Sequence, residues 1–250
     1  MPGTSIDKAL AVLALLTTEH SLTEIAREVG LPRSTAHRVL GTLVDHGFAV
    51  AAAGRYGPGP AALTLAGAVL ADWNPGQQAS EQLRQLRDRT GLTVQLAVLL
   101  GDHLVHVEQI AGRLPYRLAT RLGAPLPLHA TAAGKAVLAA VDPEQARAVL
   151  ARVGTPGRTE ATRTDPESLL AELAAAAPAG FLAEDEEYES GVRSIAAAVL
   201  DRQGHPVGAV SIATLVFERS AHQLAELGPP LVGTAEQLTR LFCNARSTSR

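Results

Sequence analysis

Cysteine is almost absent from this chain: Cys243 stands alone among 250 residues. A single thiol excludes an intrachain disulfide and any cysteine-built zinc site. On an apolar stripe near the C-terminus it reads as a small buried hydrophobe. No apolar run approaches the roughly 18 residues that a membrane span requires. Asp7 and Lys8 interrupt any signal-like apolar stretch at the N-terminus, so the expected location is the cytoplasm. A strong excess of either charge is missing too. The formal net charge of −3 argues against a general nucleic-acid coat protein. Also missing are a nucleophile elbow, a Walker-type phosphate loop and an HExxH helix, so the chain is not expected to be an enzyme.

What remains is a globular composition, 46% hydrophobic and 19% charged, long enough for one large or two modest domains. The most informative segment is residues 21–46. Ser21 and Glu24, three apart, form a capping-box signature ahead of an apolar stripe at Leu22, Ile25, Ala26 and Val29. Gly30-Leu31-Pro32 stops that helix. A second helix buries Ala36, Val39, Leu40, Leu43 and Val44 and leaves Arg33, Ser34, Thr35, His37, Arg38 and Thr42 outward. Those are residue types that reach phosphates and base edges in a major groove. Over residues 1–58 the five basic and five acidic residues cancel, but between 29 and 44 there are two Arg, one His and no acid. The positive field is therefore local, and one such domain would bind double-stranded DNA weakly at cellular salt. A dimer placing two recognition helices about 34–36 Å apart on a palindromic operator answers that weakness. The alternative is a helical bundle with a solvated basic face.

An earlier helix over residues 5–17 is expected to bury Ile6, Leu10, Leu13 and Leu16. After the helix pair, residues 48–56 suggest a wing, where Arg55 could meet a phosphate or the minor groove; an exposed turn arginine is the alternative. These segments make residues 1–58 a winged helix-turn-helix domain. Gly57-Pro58-Gly59-Pro60 ends it. A linker helix over 59–74 carries Leu63, Ala66, Leu70 and Trp73 in a narrow seam, read as a contact between two chains, with packing on its own domain as the alternative. Residues 75–250 form the third region. A polar helix runs to Thr90, followed by a hairpin over 92–110. Further strands are expected at 116–119, 195–200 and 207–214, the last two joined by an Asp201-Arg202-Gln203-Gly204 turn. Asp142-Pro143-Glu144 and Asp165-Pro166-Glu167 each open a helix. Two more helices lie near 221–227 and 230–243. Hairpins and helices alternate without βαβ regularity, so this region is α+β with a mainly antiparallel sheet flanked by helices.

Two further stretches narrow the reading. Residues 123–136, GAPLPLHATAAGKA, and residues 180–187 with 191–197, GFLAEDEE and GVRSIAA, resemble the two signatures of the IclR family of bacterial transcriptional regulators, and the resemblance runs nearly end to end. It implies a winged helix-turn-helix domain, a dimerising linker helix and a GAF-like effector domain. It also implies dimers or dimers of dimers, more often repressors than activators, that answer to a small metabolite, frequently an organic acid. Carried over by position, the effector pocket takes Leu118, Ala132, Ala133, Glu184, Ser194 and Ser211. The helix expected near Thr131 would leave the Ala132 and Ala133 amides free for an anionic or carbonyl oxygen, with Gly134 clearing room for the ligand. Glu184 stands where the family more often has Asp, and Ser194 where Cys is frequent. A longer carboxylate reshapes the pocket and repels an anion unless a proton is shared. An aromatic acid, a sugar derivative or a lactone therefore fits as well as a small keto acid. The alternative points Glu184 to solvent with Asp185, Glu186, Glu187 and Glu189.

Two other functions use the same residues. A metabolite-converting enzyme would recruit the acids near Glu184, His129 and Lys135. A metal-dependent sensor would need clustered histidines, but His103 and His106, three apart on a strand, face opposite ways. Cheaper roles are expected: Lys135 snorkelling to water and His129 bracing the pocket loop. No cofactor and no metal are expected.

Overall fold

The computed structural model describes residues 3–73, 77–113, 118 and 122–245. The chain divides into two compact units, Met1–Asn74 and Pro75–Arg250.

The first unit runs α1 (Ser5–Leu15), β1 (His20–Ser21), α2 (Leu22–Val29), α3 (Arg33–Asp45), β2 (Ala49–Ala52), β3 (Arg55–Pro58) and α4 (Pro60–Trp73). The capping box at α2 forms: Ser21 Oγ accepts from the Glu24 amide at 3.3 Å, and Glu24 Oε2 accepts from the Ser21 amide at 2.6 Å. Gly30 ends the helix in the left-handed region, at φ 70°. Thr4 and Asp7 build the same device on α1, ahead of its expected start. Val12, Leu16, Ile25, Leu31, Ala36, Leu40, Leu43 and Ala49 make the core. Ile6 and Leu10, expected in that core, are instead exposed. At 100° per residue, Leu10 lies about 200° around α1 from Val12, so the helix carries two apolar stripes and spends only one on its own domain.

Strands β2 and β3 pair antiparallel around an Ala53-Gly54 turn in which both residues have positive φ, the geometry that matches strand twist. Strand β1 joins β3 through Ser21 opposite Arg55, a third strand too short to leave a sequence pattern. This is a winged helix-turn-helix. On α4, Leu63, Leu65 and Ala66 are all exposed within the unit; the side chains of Leu70 and Trp73 lie outside the described residues.

The second unit runs α5 (Gln77–Thr90), β4 (Thr93–Leu100), β5 (His103–Ile110), β6 (Pro125–Leu126), α6 (Ala132–Ala139), α7 (Pro143–Val153), α8 (Pro166–Ala176), a 3₁₀ turn (Ala177–Ala179), β7 (Leu182–Asp185), β8 (Val192–Leu200), β9 (Pro206–Leu215), α9 (Ala221–Ala225) and α10 (Gly228–Ala245). Six antiparallel strands align in the order β6-β5-β4-β9-β8-β7. Asp142 and Asp165 cap α7 and α8 as their sequences require. Helix α6 packs on the face of β9 that presents Ser211 and Ala213. Helix α10 packs against β8 and β9, and Ala197 and Leu200 line a cleft there with Val232 and Ala235. The strand expected at 116–119 lies outside the described residues, apart from Leu118. Edge strands β6 and β7 were not legible, because two and four residues give no periodicity. Cys243 is half-buried rather than buried.

Candidate functional site

Two surfaces carry functional chemistry. The first is the outer face of α3. Its inner stripe is fixed by Ala36, Leu40 and Leu43 in the core, which forces Arg33, Ser34, His37, Arg38 and Thr42 out to solvent, with Thr35 half-buried at the first turn. Thr42 Oγ1 donates to the Arg38 carbonyl at 3.2 Å and stays on its own helix. With no acid in its first turn, α3 leaves its N-terminal dipole open to a phosphate. Arg55 is placed differently. Its guanidinium donates to the Glu19 carbonyl at 2.7 Å and lies 3.6 Å from Glu24, so it braces the wing against the start of α2.

The second is a cavity of about 370 Å³ in the second unit, between the sheet and the N-terminus of α6. Leu118, Ala132, Ala133, Glu184, Ser194 and Ser211, six residues spread over 94 positions, all line it. The sheet brings three of them together: β7 and β8 pair Glu184 with Ser194, and β8 and β9 pair Ala196 with Ser211. Thr131 caps α6, accepting from the Gly134 amide at 3.0 Å, and the Lys135 amide turns to the Thr131 carbonyl. Ala132 and Ala133 are the first two residues of α6, so their amides have no intrahelical acceptor. Gly134 does not clear space for a ligand: a Cβ there would lie 2.4 Å from Leu128 Cα, so its smallness lets α6 seat on the 125–131 turn.

Glu184 is buried, 4% exposed, and its solvated alternative fails. Ser194 Oγ donates to its Oε1 at 2.9 Å and the Glu187 amide to its Oε2 at 3.1 Å. Burial outweighs those bonds and pushes its pKa up to about 7. Near neutral pH both its protonated and its ionised forms are therefore populated. His106, on β5, also lines the cavity. Burial holds its pKa down to about 4, and its Nδ1 has no hydrogen-bond partner among the described residues. His103 is exposed on the other face, as the strand period requires. Gln95 and Ser211 hydrogen-bond across β4 and β9 at 3.3 Å. Over this floor, Arg158 stands 4.6 Å from the Tyr188 ring centroid, and both line the cavity. Gln95, Arg158 and Tyr188 escaped sequence reasoning, and His106 entered it only as a metal candidate. No local motif marks them; the inward phase of β5 would have found His106.

Behind the cavity two acids of the run, Glu184 and Glu187, turn inward, while Asp185 and Glu189 stay exposed. Lys135 is fully buried rather than snorkelling: its Nζ donates to Glu187 at 2.6 Å and Glu172 at 3.0 Å. His129 braces the site by donating from Nε2 to the Pro156 carbonyl at 3.0 Å. Among the described residues no three His, Cys, Asp or Glu gather as metal ligands. No helix among them is long and apolar enough to cross a membrane.

Comparison with known proteins matches both units of the chain. The family model for the IclR helix-turn-helix domain matches residues 5–52, and the one described as bacterial transcriptional regulator IclR C-terminal matches residues 68–240. The chain is 33% identical to the transcriptional repressor IclR of Escherichia coli strain K12 over 230 residues, which cover 90% of this chain and 84% of that protein. The crystal structure of the Thermotoga maritima IclR superimposes with a TM-score of 0.74 at 28% identity, covering 95% of this chain and 98% of the other. An IclR homologue from Microbacterium hydrocarbonoxydans, crystallised with 4-hydroxybenzoate, gives 0.75 at 26% identity, covering 95% and 99%. Matched in both of its units and along nine-tenths of its length, the chain belongs to the IclR family of bacterial transcriptional regulators.

Proposed function

We propose that this regulator works in the cytoplasm as a homo-oligomer, without enzymatic activity, and represses transcription from a palindromic operator until a small organic effector enters the cavity of its second unit. The observation that carries the reading is a polar cavity walled by the α6 N-terminus, Glu184 and Ser194, in a chain whose α3 presents its polar face to solvent. Arg33, Ser34, Thr35, His37, Arg38 and Thr42 read the groove. Arg55 contributes only from its wing position, since its guanidinium is already tied to Glu19 and Glu24. The exposed α4 seam, with Leu63 and Ala66, pairs two chains.

The Ala132 and Ala133 amides favour a carboxylate or carbonyl oxygen of the effector. Glu184, with its pKa near 7, can meet that ligand as the neutral acid. Effector binding then shifts the population between dimer arrangements and changes the spacing of the recognition helices. Relatives named as repressors support the sign, and the homologue bound to 4-hydroxybenzoate supports an organic acid.

The test is selection of bound genomic fragments by purified protein at low and physiological salt. A palindrome surviving the higher salt supports the reading; sequence-blind, salt-sensitive binding sinks it. With that operator in hand, 4-hydroxybenzoate is the first probe. If it alters operator affinity, Glu184→Gln should change its titration and leave unliganded DNA binding intact.

A further inference from the structure

Lys135 is one of only two lysines in the chain, and its side chain is wholly inaccessible to water. The helix that carries it, α6, supplies Ala132, Ala133, Ala136, Val137 and Leu138 to the hydrophobic core. Burying an ammonium there is costly, and a buried ion pair returns little net stability over an apolar side chain of similar volume. Stability alone does not explain it, so what the ammonium fixes in space becomes the question.

It fixes three elements. The Nζ donates to Glu187 Oε1 at 2.6 Å, to Glu172 Oε1 on α8 at 3.0 Å, and to the Ala183 carbonyl on β7 at 3.4 Å. Arg163, half-exposed, closes on Glu172 from the solvent side. Glu187 is the critical tether. Its second oxygen has no hydrogen-bond partner among the described residues, so Lys135 is its only described side-chain partner. The Glu187 amide in turn holds Glu184 Oε2 at 3.1 Å. The turn also closes on itself, the Glu186 amide donating to the Val192 carbonyl at 2.9 Å and the Gly191 amide to Glu186 Oε2 at 2.7 Å, and it is anchored outward beside Glu187. Thr162 Oγ1 donates to the Glu187 carbonyl and Thr159 Oγ1 to the Glu186 carbonyl, each at 2.7 Å, and between them they hold the loop that bears Arg158. Tyr188 and Glu189 reach the cavity from this turn, whereas Lys135 itself does not line it.

We propose that Lys135 is a positioning residue for the cavity: through Glu187 it sets the 185–191 turn and so the place and solvation of the Glu184 carboxyl. This deepens the effector reading and rests on it only for its regulatory consequence, because the linkage can be read at Glu184 without any ligand.

The experiment is pH-difference infrared spectroscopy of the protonated carboxyl band in the full-length protein, with hydrogen exchange followed by mass spectrometry. In the unsubstituted protein one carboxyl should titrate near neutral pH, and its loss in Glu184→Gln identifies it. In Lys135→Met the turn loosens, water reaches Glu184, and the midpoint should fall by about one pH unit or more, tenfold in proton affinity. While Glu187 stays ionised, electrostatics without movement has the opposite sign, because its carboxylate repels an ionised Glu184. If Glu187 takes up a proton instead, that repulsion vanishes and the midpoint falls without movement. A fall therefore supports the proposal only when the amides of residues 184–192 also exchange faster, and a fall without that acceleration overturns it. An unchanged or raised midpoint therefore overturns the proposal, whatever happens to the melting temperature.

The double variant K135M/E187M removes the pair without orphaning a charge, and so serves if K135M does not fold. Its amides in residues 184–192 should exchange about tenfold faster while those of α6 and β9 keep their protection. Uniform acceleration, or none, also overturns the proposal. If the linkage holds but Glu184→Gln leaves every operator response unchanged, the effector reading fails and the positioning role stands.

Discussion

Glu184 and His106 line one cavity and are displaced in opposite directions, and the consequence is a pair of stability profiles of opposite slope. Glu184 rises from an ordinary 4.5 to about 7. A carboxyl with a raised pKa contributes its stability below the unfolded value, and that contribution is lost as pH climbs through the folded one. His106 falls from 6.5 to about 4, so its contribution is complete above 6.5 and is lost as pH drops through 4. Each group changes stability by about 1.4 kcal/mol per pH unit inside its window. Between pH 4.5 and 6.5 the two slopes oppose each other, and each alone would amount to about 3 kcal/mol.

Removing either one should unmask the other. Relative to the unsubstituted protein, Glu184→Gln should gain about 3 kcal/mol as pH rises across that interval, and His106→Gln should gain as much as pH falls. On melting temperature this is roughly 6–12 °C for a unit of this size. Urea unfolding at half-unit pH steps, with each variant subtracted from the parent, cancels the contribution of the remaining carboxylates. Two difference profiles that stay flat, or that slope the same way, would refute the burial argument for both residues.

Other outcomes follow from individual contacts. Arg38→Ala should weaken operator binding by about 1–3 kcal/mol in a fluorescence anisotropy titration; a loss uniform across sequences, with a salt slope smaller by about one, would assign it to a phosphate instead of a base. Gly134→Ala should destabilise the second unit by at least about 2–3 kcal/mol in calorimetry, because its Cβ would meet Leu128 Cα at 2.4 Å and backbone cannot yield as a side chain can. Leu63, 75% exposed on α4, should act at the interface between chains. Leu63→Glu should weaken self-association about tenfold or more in sedimentation equilibrium while leaving the circular dichroism spectrum intact.

Much of this protein is local, and what is local can be read from the order of its residues. Ser21 and Glu24 close a capping box within four residues, and Asp142-Pro143 and Asp165-Pro166 open helices wherever they stand. The outward set on α3 follows from its inward set, since a 3.6-residue period leaves no freedom once Ala36, Leu40 and Leu43 are buried. Family resemblance supplied the six cavity residues. Three assignments failed because they depended on what lay opposite. The periodicity of α1 offers two apolar stripes, and only the arrival of α3 selects Val12 and Leu16 over Ile6 and Leu10. Gly134 is small because the backbone of Leu128 crosses α6 at that point.

Lys135 is the sharpest case. A lysine in the second turn of a helix reaches water by default. It is buried here because α8 brings Glu172 and the 185–191 turn brings Glu187, residues 37 and 52 positions away, to within 3.0 Å of one nitrogen. Sequence alone determined the elements, their caps and the chemistry each face carries. Tertiary structure decided which of two faces is buried, which acids turn inward and which charge holds them, because those choices depend on long-range pairing across β7, β8 and β9 that no local period encodes.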